Sequence, residues 1–216
     1  MTVLANYKTL VKEVSQLTER KVEIVPVTKY AEVDKMNALY SNGINNFGES
    51  RTENLKIKEE HFPDANWHFI GHLQTRKVKD CVGKVQLIHS INRWKVAKEI
   101  DKRAKKKGIV QKGLVQVNVA KEESKHGLLV EEVFSFLDSC SELPNLSITG
   151  LMTMAPLTDN PEEVRYVFKG LKELRNKLKD NGYSNIKELS MGMTNDYQVA
   201  VEEGATIIRI GSKIFS

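Results

Sequence analysis

Val22-Glu-Ile-Val-Pro-Val27 is a short apolar run, and Thr28-Lys29-Tyr30 follows it directly. At the far end of the chain a similar run, Thr206–Ile210, leads into Arg209-Ile-Gly-Ser212. Six more lie between them: Asn45–Phe47, Trp67–Ile70, Val85–Ile88, Gly113–Val119, Leu146–Leu151 and Ile186–Leu189. Most are rich in β-branched or aromatic residues, and several are apolar on both faces. Strands of that kind are buried on both sides, as in parallel sheets.

Helical spacing fills the gaps. Leu4–Thr18 carries a stripe of Leu4, Tyr7, Leu10, Val11, Val14 and Leu17 ahead of the first strand. Val33, Met36 and Tyr40 form the next stripe, and Val78, Cys81 and Val82 another. Trp94–Lys107 stops at Gly108, and Val133, Phe134, Leu137 and Cys140 mark a further helix. In Pro161–Asp180 the apolar residues align from Val164 to Leu178, with Pro161 in the first turn and Asn181-Gly182 as a left-handed cap. Tyr197, Ala200 and Val201 form the last stripe, before Gly204. Alternating strands and helices imply right-handed crossovers between parallel strands. Eight strands favour a closed (β/α)8 TIM barrel with an extra N-terminal helix. An open doubly wound sheet is the rival, but no G-x-G-x-x-G follows the first strand and no P-loop occurs.

The 216 residues are 40% hydrophobic and 28% charged, which fits one barrel domain over residues 1–216 or two small domains. No apolar stretch is long enough to span a membrane, and the charged N-terminus lacks a signal-peptide pattern, so a cytoplasmic protein is expected. Cys81 and Cys140 are isolated, which argues against a disulfide or a zinc site. The net charge is +5, and the run Lys102-Arg-Ala-Lys-Lys-Lys107 reads as a solvated helix face rather than a nucleic-acid surface.

Barrel active sites form at the C-terminal strand ends, and the polar signals fall there. They are Lys29, Gly48-Glu49-Ser50, Gly71-His72, His89-Ser90, Asn118, Met152-Thr153, Ser190 to Thr194, and Arg209 to Ser212. A lysine at a barrel mouth is partly desolvated and close to other cations, which favours the neutral amine that attacks aldehydes. The loops after strands seven and eight suit a phosphate: Gly211 and Ser212 can present backbone N–H groups, with Gly211 permitting close approach, Ser190 can add a hydroxyl, and Thr194 sits at a helix N-cap. First and last strands are neighbours in a closed barrel, so an aldehyde-bearing phosphate would be held at both ends. An ordinary turn with a capped helix is the bland reading of the same residues. His68 and His72 straddle a strand end and need not converge on a metal. Glu49 is the one acid with a claim on the rim. The methionines around Met152 and Met191 read as packing.

These stretches carry a family likeness. Val27-Thr-Lys-Tyr30, Phe47-Gly-Glu49, Trp67-His-Phe-Ile-Gly-His-Leu-Gln74, Ile88-His-Ser90, Gln116-Val-Asn118, Gly150-Leu-Met152, Leu189-Ser-Met-Gly-Met193 and Arg209-Ile-Gly211 occur in that order. The chain resembles the pyridoxal phosphate homeostasis proteins, which look like the N-terminal barrel of alanine racemase standing alone. The resemblance implies pyridoxal 5′-phosphate held as an imine on Lys29, a phosphate held by Ser190, Gly211 and Ser212, and Arg209 facing the pyridine nitrogen. It implies a non-enzymatic, monomeric cofactor carrier, with recipient apo-enzymes as possible partners and no nucleic acid or membrane. The alternatives are a pyridoxal-phosphate-dependent amino-acid racemase and a lysine-imine aldolase on a phosphosugar. The chain is expected to end with the barrel, without the second domain of the racemases. Ser50 stands where the family usually has asparagine, and Ser212 where it commonly has threonine.

Overall fold

The computed structural model describes residues 2–122 and 125–216. Its strands are β1 (Glu23–Pro26), β2 (Asn46–Glu49), β3 (Asn66–Phe69), β4 (Leu87–Ile91), β5 (Gln111–Gln116), β6 (Leu146–Met152), β7 (Glu188–Ser190) and β8 (Ile207–Ile210). All pair in parallel, in the order β1-β8-β7-β6-β5-β4-β3-β2. The helices outside the ring are α1 (Val3–Leu17), α2 (Val33–Tyr40), α3 (Thr52–His61), α4 (Trp94–Lys107), α5 (Val133–Cys140), α6 (Arg165–Asp180) and α7 (Tyr197–Glu202), followed by a terminal turn, Ser212–Phe215. This is the expected barrel with an additional helix in front.

The ring closes between β1 and β2 through a thin seam. Glu23 and Val27 donate their N–H groups to Thr206 and Ile210 of the β8 side, each at 2.8 Å. The alternate positions therefore face β2. Pro26 is one of them, and it has no N–H to give. The contact reduces to one parallel bridge, Val27 with Gly48, and the Thr28 N–H donating to the Gly48 carbonyl at 2.9 Å.

Side chains make up for the missing ladder. Lys58 of α3 reaches into the seam, donating from Nζ to the Thr28 carbonyl and to Glu49 Oε2, the latter at 2.9 Å. Thr28 Oγ1 donates to the same carboxylate at 3.1 Å, and the Ser50 N–H donates to its other oxygen at 2.7 Å. The Glu49 side chain is fully buried and that of Lys58 nearly so.

The sequence pattern named no helix between β2 and β3. The reason is visible in α3: its inward positions are Thr52, Leu55 and Lys58, while Ile57 is 59% exposed. That face has no apolar stripe to read. Between β3 and β4 the stripe at Val78 forms a 3₁₀ segment, Thr75–Asp80, in place of a full helix. β4 and β5 also differ from expectation, β4 extending to Ile91 and β5 ending at Gln116. The β4–β5 register slips between Ile88 and Ile91, beside His89.

Two apolar clusters hold the barrel. The larger lies between strands and helices and includes Phe47, Trp67, Phe168 and Leu171. A smaller one, Val25, Leu87, Leu114, Met152 and Ile207, comes from inward-facing strand positions. The remaining interior is polar: His68, His89, Ser190 and Arg209 are all buried.

Candidate functional site

A cavity of about 760 Å³ opens at the C-terminal ends of the strands. Lys29, Ser50, Thr194, Arg209, Gly211 and Ser212 are among its lining residues. Four of the five residues picked from the sequence (Lys29, Arg209, Gly211 and Ser212) thus share one space. Lys29 is half-buried at the end of β1, its Nζ 4.7 Å from the centre of the exposed Tyr30 ring. That neighbour lowers the Tyr30 phenol from its ordinary value. The seam just described fixes the backbone beneath: Thr28, next to Lys29, is held at its N–H, carbonyl and hydroxyl.

Gly211 follows β8, and its neighbour Val27 is the nearest thing a Cβ there would meet, at 3.6 Å. Its φ is −109° and its ψ −84°. Packing within the chain does not demand glycine at 211. Beside it the Ser212 hydroxyl donates to Thr194 Oγ1 at 3.2 Å, so two hydroxyls from different loops meet. Asp196 shapes the Thr194 loop by accepting from the Met193 N–H at 2.5 Å. Burial pushes the Asp196 carboxyl up, against the pull of the Met193 N–H and of Arg209. Gly192, at φ +93°, makes the turn into this loop, and a Cβ there would lie 2.7 Å from Ala200.

Arg209 lines the cavity while being only 4% exposed. Nη1 donates to Ser190 Oγ at 2.6 Å and Nη2 to the Thr153 carbonyl at 3.0 Å. Burial lowers the guanidinium to about 10, with Asp196 acting in the opposite direction. Ser190 does not line the cavity. It is fully buried, and its hydroxyl is shared between Arg209 and His89 Nδ1, the latter at 2.8 Å.

Other rim residues have structural partners. Glu49 is spent on the seam. Asn118 accepts from the Glu122 N–H at 3.2 Å and donates to the Glu122 carbonyl at 2.9 Å, holding its own loop. His72 stacks on His126 with centroids 4.1 Å apart, and its Nε2 is 3.2 Å from Arg93 Nη2. Burial first, then His126 and Arg93, lower the His72 imidazole. Among the described residues no cluster of three or more His, Cys, Asp or Glu could hold a metal. Burial pushes the Cys81 and Cys140 thiols up to about 12, so neither is a nucleophile. Among the described residues no helix is long and apolar enough to cross a membrane.

Sequence reasoning missed Lys58, and it named His89 only as a rim residue rather than as part of a buried inward set with His68, Ser190 and Arg209. Lys58 is signalled by its three-residue spacing from Leu55 and Thr52. His89 is signalled by its two-residue spacing from the inward Leu87.

Comparison with known proteins gives the family. The model for "Alanine racemase, N-terminal domain" matches residues 3–216. The pyridoxal phosphate homeostasis protein of Aquifex aeolicus is 43% identical over 199 residues, 91% of this chain and 87% of that protein. That of Synechocystis is 36% identical over 197 residues, 90% of each. The structure of PipY from Synechococcus elongatus, solved with PLP bound, superposes with a TM-score of 0.89 at 30% identity and covers 100% of both chains. The chain belongs to the alanine racemase N-terminal-domain family and, within it, to the pyridoxal phosphate homeostasis proteins.

Proposed function

We propose that this protein binds pyridoxal 5′-phosphate through a covalent bond to Lys29 and holds it as a carrier, maintaining the cell's supply of the cofactor. The observation that carries this reading is the shared cavity: an amine, a buried guanidinium and a paired-hydroxyl glycine turn face one space. The PLP-bound PipY structure and the names of the relatives support it.

The residues present fit the group. Gly211 leaves room that the chain itself does not need, and Thr194 and Ser212 place two hydroxyls beside it, as a phosphate requires. We assign the phosphate to Thr194, Gly211 and Ser212. Arg209 is assigned to the pyridine nitrogen, where a fixed cation opposes ring protonation. When bound, the cofactor supplies an aldehyde that bonds reversibly to an amine. Lys29 presents that amine, and the Glu49–Lys58 pair keeps its backbone in place.

The proposed role is non-enzymatic, with recipient apo-enzymes as partners and a monomer as the working form. We assign it to the cytoplasm, a reading supported by two buried free cysteines. The test is borohydride reduction after loading, then peptide mapping. The reduced adduct is expected on Lys29; an adduct elsewhere with Lys29 unmodified overturns the assignment.

A further inference from the structure

A continuous line of side chains crosses the barrel beneath the cavity. Arg209 Nη1 is 2.6 Å from Ser190 Oγ, and Ser190 Oγ is 2.8 Å from His89 Nδ1. His89 Nε2 is 3.0 Å from His68 Nδ1, and His68 Nε2 is 3.2 Å from Glu23 Oε1. The two histidines, Ser190 and Arg209 are buried. Glu23 lies at the opposite mouth, in a second cavity of about 330 Å³ that also touches His68, Lys112 and Glu188.

The donors and acceptors can be ordered by elimination. Arg209 only donates, so Ser190 Oγ accepts from it. If the Ser190 hydroxyl then donates to His89 Nδ1, His89 carries its proton on Nε2 and donates to His68 Nδ1. His68 in turn carries its proton on Nε2, aimed at the Glu23 carboxylate. Each hydrogen-bonded link from Arg209 to His68 then has one donor and one acceptor. The reverse order leaves the Ser190 proton without a partner along the chain and, with a neutral His68, sets a bare Nε2 against a carboxylate oxygen. That nitrogen is enclosed and meets no acceptor in good hydrogen-bond geometry, Glu23 being its close polar neighbour. A proton on it is the arrangement with an attraction.

We infer that His68, His89 and Ser190 are positioning residues, a one-way hydrogen-bond chain that fixes the Arg209 guanidinium at the floor of the ligand cavity. The inference rests on the pyridoxal 5′-phosphate reading for its ligand, though not for its hydrogen-bond order. It changes the role of Ser190 from phosphate donor to support for Arg209.

Two measurements test it. Side-chain ¹⁵N NMR of the ligand-free full chain reads the order directly: both His68 and His89 are expected as neutral Nε2–H tautomers. An Nδ1–H tautomer at either overturns the chain. The second compares pyridoxal 5′-phosphate with pyridoxal, which lacks the phosphate, on wild type, Ser190→Ala and His89→Asn. Asparagine can still accept from Ser190 at the Nδ1 position. Ser190→Ala is expected to weaken both ligands by the same factor, about tenfold, and to shift the visible band of the bound chromophore. His89→Asn should restore most of the affinity and the band relative to His89→Leu. Loss confined to the phosphorylated ligand means that Ser190 holds the phosphate, and unchanged affinity with an unchanged band means that it positions nothing; either overturns the inference. If wild type takes up no pyridoxal 5′-phosphate, the functional reading fails, and the tautomers still decide the chain.

Discussion

Lys58 Nζ lies 2.9 Å from Glu49 Oε2 in a place almost closed to water, and the same ammonium holds the carbonyl of Thr28. The pair stands where Pro26 leaves the β1–β2 ladder short of a donor. Breaking one half of a buried pair strands the other charge. Lys58→Met is expected to lower unfolding stability by about 3–5 kcal/mol, read as the urea midpoint at constant slope. The double variant Lys58→Met/Glu49→Leu should recover much of that loss, because the stranded charge is gone. Equal destabilisation in single and double variants would show that the pair does not act as a unit.

Lys29 is the opposite case. It is half-buried at the rim and supports no strand contact, so Lys29→Ala should change stability by no more than about 0.5 kcal/mol. It should abolish the borohydride-trapped adduct. The Lys58→Met variant, if still folded, should form the adduct more slowly, since the backbone under Lys29 loses its anchor. An unchanged trapping rate would separate the seam from the site.

At the phosphate end, Gly211→Val should weaken pyridoxal 5′-phosphate binding by a hundredfold or so, on the order of 3 kcal/mol. The branched side chain would occupy the approach that the chain leaves open. The melting temperature should stay close to wild type, because the nearest protein atom to a Cβ at 211 is 3.6 Å away. Thr194→Val combined with Ser212→Ala should weaken the phosphorylated ligand selectively over pyridoxal. Equal loss for both ligands would move the phosphate elsewhere.

Much of this was legible in the sequence, and the exceptions have physical causes. Short runs rich in β-branched and aromatic residues announced all eight strands, and Lys29, Arg209, Gly211 and Ser212, named for their place at strand ends, share one cavity. Helix α3 was hidden because a lysine occupies its inward row, and a charge there is readable only once its buried partner Glu49 is known. Ser190 was placed in the right strand, but its exclusion from the cavity lining could not be read there. β7 is three residues long, so the direction of Ser190 depends on long-range pairing with Met152 and Ile207 rather than on any local period. His89 sits where the β4–β5 register slips, another feature set by partner strands.

The buried His89 sets a pH dependence. Burial, then His68 and Arg209, hold His89 well below its ordinary value of 6.5. In the unfolded chain it takes up a proton near 6.5, while in the folded barrel it stays neutral. The unfolded state then binds more protons, so stability is complete above about 6.5 and falls as the pH drops below it, by about 1.4 kcal/mol per unit. The partly buried His72 adds in the same direction. Asp196, raised by burial, acts in the opposite direction at lower pH, so the His89 contribution is isolated by comparison with His89→Asn. Urea midpoints between pH 7 and 5 should fall more steeply for wild type than for that variant. Parallel slopes would mean that His89 is protonated in the fold.

The last prediction is that the loaded protein does not racemise amino acids. Racemisation stores carbanion charge in the pyridine ring, which works best when the ring nitrogen is protonated. The proposed partner of that nitrogen is Arg209, pinned by Ser190 and the Thr153 carbonyl and unable to swing aside. A fixed cation there disfavours ring protonation and mutes the sink. The reaction also needs acid–base groups on both faces of the reacting carbon. Lys29 can serve one. Among the other titratable residues of the cavity, Asp196 is committed to the Met193 N–H, Lys35 donates to the Phe215 carbonyl, and Tyr30 is 83% exposed; Lys125 is the remaining amine, so Lys125→Ala is the control variant. Loaded protein incubated with L-alanine should therefore form the D-enantiomer no faster than free pyridoxal 5′-phosphate does. Turnover well above that background, lost in Lys29→Ala, would make the protein an enzyme and overturn the carrier reading.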